Sequence, residues 1–306
     1  MATKKKLDPA VRYLRYELTN SGTPGNETSH YIDLARDLSM VNRRLYRQGR
    51  DYHVKKITIV SSNTPSLENR ISVATIPSGW PQRNAWKRGF QVWRMMYKNA
   101  SQNISGDIEG TWSDFKVYLS NSMRSAGINT PVDNGGNGFL IDEWAYSQYV
   151  SPDGTTSDDS FTIHMLGDHS GSAGAWNSVG LVKSYGESRA TVQAGSPAVP
   201  GEASDDPLVN VFDYGTEIDE VIDLMEGSND LPPYDQASYP GDDVNGPKPI
   251  INQDTTLVDG RAVMGGFSAL CGLLEFEIKS AIANDTFSVL IELAPGKYRG
   301  IHAEVI

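Results

Sequence analysis

The stretch that most constrains this chain runs from Tyr31 to Arg50, with the sequence YIDLARDLSMVNRRLYRQGR. Its apolar residues recur at steps of three and four, which places them on one face of a helix. These residues are Tyr31, Leu34, Leu38, Val41 and Leu45. Ser29 stands at the position expected for an N-cap, and Gly49 stands where a helix would stop. The pattern predicts a single amphipathic helix that runs into a basic turn.

Four arginines, Arg43, Arg44, Arg47 and Arg50, cluster in that turn. Cations at the C-terminal end of a helix complement its dipole. One interpretation is a solvated charged surface on a helix that covers the end of a sheet, which is the usual role of a charge run. The other is that the arginines bind phosphate or a neighbouring subunit. The second interpretation makes these four residues candidates for nucleic-acid binding.

Most of the remaining periodic segments alternate apolar and polar residues, as half-buried strands do. Strands are predicted over Val11–Leu18, His53–Ser62, Arg70–Ile76, Phe139–Val150, Phe161–Leu166, Leu273–Lys279, Phe287–Leu293 and Tyr298–Val305. A hairpin is predicted from Val179–Lys183 and Arg189–Val192, and helices over Arg83–Asn99 and Thr216–Glu226. Helices do not alternate regularly with strands, so the pattern favours an antiparallel β-sandwich over a parallel doubly wound sheet.

Two blocks in the first third of the chain suggest a family. The first is Leu38-Ser39 followed by NRRLYRQGR at Asn42–Arg50; the second is Ser78-Gly79-Trp80 followed by NAWKRGF at Asn84–Phe90. Together they resemble capsid proteins of small environmental Rep-encoding circular single-stranded DNA viruses. The resemblance implies a mainly β, single jelly-roll domain with long loops and a few short helices, a fold common in viral capsids. It also implies a virion protein that self-assembles into a small icosahedral shell, with no catalytic residues and no cofactor.

The domain boundaries that follow are a short basic arm over residues 1–10 and a jelly-roll domain over residues 11–306. Lys4, Lys5 and Lys6 lie in the arm. Three lysines neutralise about three phosphates, so we expect them to contribute weak, sequence-independent binding to packaged single-stranded DNA.

Charge is strongly segregated along the chain. Residues 1–100 hold 18 Lys and Arg against 7 Asp and Glu, whereas residues 101–306 hold 9 against 31. Such an asymmetry indicates a molecule with two electrically different sides. In a shell, the basic side would face the genome and the acidic side the exterior. The alternative is a basic first third packed against an acidic remainder in one globule.

Other features narrow the function classes. The single cysteine, Cys271, cannot form an internal disulfide and is expected to be a buried thiol. No apolar stretch approaches the length of a membrane span, and no signal peptide is expected. The five histidines show no H-x-x-x-H pairing, so no metal site is predicted. The acidic segments around Asp153 and Asp242 lack full EF-hand spacing, so Ca²⁺ binding there stays open.

Two alternative functions remain from the residues alone. Tryptophans in or near loops suggest a carbohydrate- or ligand-binding β-sandwich module. These are Trp80, Trp112, Trp144 and Trp176. The acidic loops suggest a hydrolase, although Asp168-His169-Ser170 does not match a nucleophile elbow, and adjacent residues rarely form a catalytic triad.

Overall fold

The computed structural model describes residues 8–61, 69–101, 110, 112–151, 159–172, 175–187, 250–257 and 259–306. The described chain is mainly β. Its strands are β1 (Tyr13–Thr19), β2 (Glu27–Asp33), β3 (Arg50–Ser61), β4 (Arg70–Thr75), β5 (Tyr118–Ser120), β6 (Gln148–Ser151), β7 (Asp159–Leu166), β8 (Ser170–Ser172), β9 (Ala175–Gly180), β10 (Ile250–Thr256), β11 (Arg261–Met264), β12 (Phe267–Leu270), β13 (Leu273–Lys279), β14 (Thr286–Leu293), β15 (Pro295–Gly296), β16 (Gly300–Ile301) and β17 (Ala303–Val305). Its helices are α1 (Leu34–Asn42), α2 (Trp80–Ser101), α3 (Asn121–Ala126) and α4 (Leu181–Glu187).

Two antiparallel sheets form the body of the fold. The first has the order β1-β14-β3-β11, with β12 and β17 also paired to β3. The second has the order β10-β4-β13-β2. Alternate residues of both sheets enter one shared hydrophobic core, for example Leu14, Tyr16 and Ile57 from the first and Val73 and Phe276 from the second. This arrangement is compatible with a β-sandwich, and the inward residues predicted by alternation are buried.

A long insertion, residues 76–249, separates the neighbouring strands β4 and β10. Its described part contains α2, α3, α4 and a mixed sheet in which β5 and β9 run parallel to β7. A second hydrophobic cluster joins this insertion to one end of the two sheets. Insertion residues such as Phe115 and Ile163 share it with Tyr31, Leu270 and Leu273.

The predicted single helix from Tyr31 to Arg50 is wrong at both ends. Tyr31 belongs to β2 and lies opposite Glu275 of β13, so its backbone is held by a sheet instead of a helix. The helix begins at Leu34, and its N-cap is Asp33, whose carboxylate accepts from the Arg36 N–H at 3.1 Å. It ends when Arg43 adopts a left-handed conformation with φ 55°.

Two other predictions of secondary structure need correction. Leu181–Glu187 forms helix α4 against α2 instead of one arm of a hairpin, and Arg189–Val192 lies outside the described residues. Of Phe139–Val150, only the part from Gln148 onward is a strand. The helix predicted over Thr216–Glu226 also lies outside the described residues. Among the helices that the structure describes, none combines the length and apolarity needed to cross a bilayer.

Candidate nucleic-acid interface

Arg43 and Arg44 follow directly after α1 and are exposed. The backbone N–H of Arg44 donates to the Ser39 carbonyl at 3.2 Å, which closes the end of the helix. Within the described part of the chain, neither guanidinium has an ion pair or a hydrogen bond to a side chain. These two arginines are therefore the members of the cluster that can bind an external anion at no cost to the fold.

Arg47 forms an ion pair within the protein. Its guanidinium lies 2.7 Å from a carboxylate oxygen of Asp114, whose side chain is 7% exposed. Burial raises the pKa of Asp114, and the positive charge of Arg47 opposes that shift. The Arg47 side chain is itself half exposed. Arg47 therefore neutralises a buried carboxylate of the insertion, while part of its guanidinium remains exposed to solvent.

Arg50 packs against Tyr298. Its guanidinium carbon lies 3.7 Å from the centre of the tyrosine ring, within the range of a cation–π interaction. The Tyr298 hydroxyl accepts the backbone N–H of Arg47 at 3.0 Å, and Arg299 donates to the carbonyl of Leu45. Tyr298 therefore fixes the shape of the arginine turn, and the turn is built from segments about 250 residues apart in sequence.

The first described residues lie beside this turn. The backbone of Val11 exchanges two hydrogen bonds with the Asn42 side chain, at 2.7 and 3.1 Å. A Cβ atom on Gly300 would lie 2.5 Å from the carbonyl oxygen of Asp8, so glycine is required for that close approach. Lys4, Lys5 and Lys6 lie outside the described residues. The first described residues, from Asp8 onward, lie on the side of the fold that carries the arginine turn.

The two sequence blocks contact each other. The Asp51 carboxylate, directly after the first block, accepts from the Ser78 hydroxyl at 3.1 Å and from Arg83 at 2.5 Å. Gly49 lies against the ring of Trp86. Trp86 stacks on Phe90, with ring centres 5.3 Å apart. The blocks thus form one structural unit at the start of α2.

The aromatic stripe of α2 points mostly inward, as predicted. Trp86 and Trp93 are 8% and 7% exposed, whereas Tyr97 is 50% exposed. Four basic side chains of the same helix are exposed, namely Lys87, Arg88, Arg94 and Lys98. The helix therefore presents positive charge beside the accessible ring of Tyr97, and the indoles of Trp86 and Trp93 serve the core.

A buried polar network holds α1 to the insertion. One oxygen of the Asp33 carboxylate accepts from Gln48 at 2.8 Å and from Tyr146 at 2.8 Å. The next turn pairs Asp37 with Arg36 at 2.8 Å and with the Tyr16 hydroxyl at 2.6 Å. Burial is the main reason that the pKa of Asp37 is raised to about 7, against the opposing effect of Arg36. All members of this network except the partly exposed Tyr146 are buried, so the network positions the arginine turn.

The other sequence candidates occupy separate places. The Asp168 carboxylate accepts from the backbone N–H of His169 and pairs with Lys183, and Nδ1 of His169 accepts the backbone N–H of Gly180 at 3.1 Å. The Trp144 indole donates to Asp33, and its ring lies 4.5 Å from the Lys116 ammonium. Trp80 meets the edge of Tyr185, and Trp176 contacts His169.

The structure also brings together three residues that sequence reasoning passed over. His53, His302 and Glu304 present ligand atoms that all lie within 4.8 Å of one another. The only local signal is the spacing His302-x-Glu304 on an extended segment, which puts both side chains on one face. The third member lies 249 residues away, so no sequence motif connects it.

Comparisons with known proteins add no relationship. A scan against protein-family models, a search of curated proteins and a search of solved structures each found no match.

Proposed function

We propose that this protein is a structural capsid subunit with a jelly-roll fold, which self-assembles into a shell around single-stranded DNA. The observation that carries the proposal is the order of the strands. β11 and β12 pair with β3 in one continuous register, so they count as a single interrupted strand. Apart from the short strand β17, which pairs only with β3, the two antiparallel sheets then contain eight strands, which is the number in a jelly roll.

The connectivity of these eight strands supports the same fold. Numbered in chain order, they follow 1-8-3-6 in the first sheet and 2-7-4-5 in the second. Every connection crosses from one sheet to the other except that between the fourth and fifth strands. Two interlocked Greek keys produce this alternation. The connection between the fourth and fifth strands, which stays within one sheet, is the long insertion over residues 76–249.

Exposed apolar side chains on the insertion favour contacts between copies. Phe139, Leu140 and Ile141 are consecutive residues of the insertion, and they are 37%, 95% and 44% exposed. Grouped apolar side chains on a surface mark interaction sites more often than isolated ones do. A shell protein that packages DNA must also bind its genome. The basic turn on the sandwich suits that role, because exposed guanidinium groups bind phosphate without reading sequence.

Assembly is tested by light scattering and negative-stain microscopy of the purified protein over a range of salt and pH. The proposal expects discrete hollow particles of uniform size. A monomer under every assembly condition would contradict it.

A test of contact between these arginines and the genome needs a variant that leaves the fold intact. The Arg43→Ala/Arg44→Ala double variant removes two exposed charges and spares Arg47, whose loss would expose a buried carboxylate. We expect intact shells with a reduced ratio of nucleic acid to protein. The matched control, Arg261→Ala/Lys279→Ala, removes two charges from other strands and should package normally. An unchanged ratio in the first variant would reject the assignment of these arginines to the genome.

A further inference from the structure

We propose that His53, His302 and Glu304 form a binding site for a divalent transition-metal ion of the Zn²⁺ class. The site lies on the first sheet, where β17 pairs with β3. It is independent of the assembly proposal, since it rests on local geometry alone.

Strand pairing creates the cluster. The backbone N–H of His53 donates to the carbonyl of His302 at 3.1 Å, and the next residue pair is Ala303 with Tyr52. His302 therefore lies directly opposite His53, and the two imidazole rings are 4.1 Å apart between centres. Glu304 lies two positions beyond His302, so it projects from the same face of the sheet.

The separations suit a small metal ion. Nε2 of His302 lies 3.5 Å from a carboxylate oxygen of Glu304, and Nε2 of His53 lies 4.0 Å from the same oxygen. Tetrahedral zinc with bonds of about 2.0–2.2 Å places its ligand atoms about 3.3–3.6 Å apart. Small rotations of His302 and Glu304, which are 48% and 65% exposed in their side chains, would close the remaining gap.

The His53 imidazole is already oriented as a ligand. On the opposite side of β3, Ser268 pairs with His53, and its hydroxyl lies 3.0 Å from Nδ1. Histidines that bind metals generally engage their second ring nitrogen in such a hydrogen bond, which fixes the tautomer and the ring orientation. Nε2 of His53 is buried and has no hydrogen-bond partner in the described part of the chain. In the tautomer in which Nδ1 donates to the Ser268 hydroxyl, Nε2 presents its lone pair to the cluster.

The donor set selects the metal class. Two imidazoles and one carboxylate suit zinc, copper, nickel or iron, whereas Ca²⁺ and Mg²⁺ prefer oxygen ligands alone. Three protein ligands leave one position for water or for a group from another molecule. A bound ion would clamp the short strand β17 onto β3, because its ligands come from both sides of that pairing.

The test uses purified protein treated with EDTA and dialysed, then titrated with Zn²⁺ by calorimetry and with Co²⁺ by visible absorption. We expect one ion per chain and a rise in Tm on addition of Zn²⁺. His302→Ala and Glu304→Gln should each weaken binding at least about tenfold, and Ser268→Ala about 10–100-fold. His302 and Glu304 are exposed, so these variants should fold normally.

Two control variants remove the same chemical groups elsewhere. His30→Ala and Glu27→Gln lie on β2 of the second sheet, and they should bind Zn²⁺ as the wild type does. Absence of stoichiometric binding by the wild type would overturn the site. Equal binding by the wild type and a His302→Ala/Glu304→Gln double variant would overturn it as well, since the ion would then be held at other surface residues.

Discussion

The indole ring of Trp86 occupies the space that a side chain at Gly49 would need. A Cβ atom on Gly49 would lie 2.6 Å from Cη2 and 2.9 Å from Cζ2 of that ring. Real Cβ atoms do not approach a ring so closely, and Trp86 is held by Phe90 and Phe115. This one contact joins the arginine turn to the start of α2.

Gly49→Ala should therefore destabilise the protein. Overpacking a tight core contact costs about 1–3 kcal/mol, and a rigid ring cannot yield as a flexible side chain would. Chemical denaturation followed by circular dichroism measures the free energy of unfolding. Gly22→Ala is the matched control, because its nearest neighbour is an Asn284 side-chain atom at 3.6 Å. A loss no larger than that of the control would show that the ring can move aside.

Arg47 and Arg44 should differ in their effect on stability. Arg47→Ala leaves the buried Asp114 carboxylate without its ion pair, which costs about 1–3 kcal/mol. Arg44→Ala removes an exposed charge and should stay within about 0.5 kcal/mol of the wild type. Combining Arg47→Ala with Asp114→Asn should recover part of the loss. Equal stability of the two single variants would mean that Asp114 finds another partner.

Acid should weaken the part of the fold that contains His164. The imidazole is fully buried between the Ser178 hydroxyl and the Asp168 carbonyl, and burial lowers its pKa to about 4. The unfolded histidine binds a proton near pH 6.5, so unfolding takes up a proton between those values. The stabilisation is complete above about pH 6.5 and is lost as pH falls toward 4, by at most about 3 kcal/mol.

This effect is measured as a difference from His164→Gln, which lacks the titrating group. The stability advantage of the wild type should shrink as pH falls from about 6.5 to about 4. A constant difference over that range would contradict the assignment.

Asp37 should show the opposite sign. Its folded pKa of about 7 lies above the usual value of 3.8, so the folded state holds a proton that the unfolded state has released. The stabilisation is present below about pH 4 and is lost as pH rises toward 7. Relative to Asp37→Asn, the wild type should therefore lose stability as pH rises through this window. A relative gain would show that the ionised pair with Arg36 dominates.

Cys271 should be inert in the folded protein. Its side chain is fully buried, and burial raises the pKa of the thiol well above its usual range. Reactive cysteines are accessible thiolates, so labelling by a disulfide reagent should be absent in native buffer. Addition of denaturant should release one equivalent of reactive thiol. Rapid labelling of the native protein would indicate that the turn between β12 and β13 opens.

The sequence alone determined which side of each long strand enters the core. Leu14, Tyr16 and Leu18, or Phe276 and Ile278, are buried because strand side chains alternate between faces and only one face meets the opposing sheet. The same reasoning identified α2 and its inward aromatic stripe. In these elements local periodicity and tertiary burial agree, so the sequence pattern was sufficient to predict which residues are buried.

Only the tertiary structure decided where local patterns were ambiguous or distant residues met. Tyr31 fits a helical repeat, but pairing of β2 with β13 satisfies its backbone and starts the helix at Leu34. Leu181 begins a helix because α2 offers an apolar face for it to cover. His53 and His302 become neighbours through strand register, and Arg47 finds Asp114 through the folding of the insertion. Hydrogen bonding between strands and burial against distant elements join residues that are far apart in the chain. A local sequence pattern therefore cannot predict them.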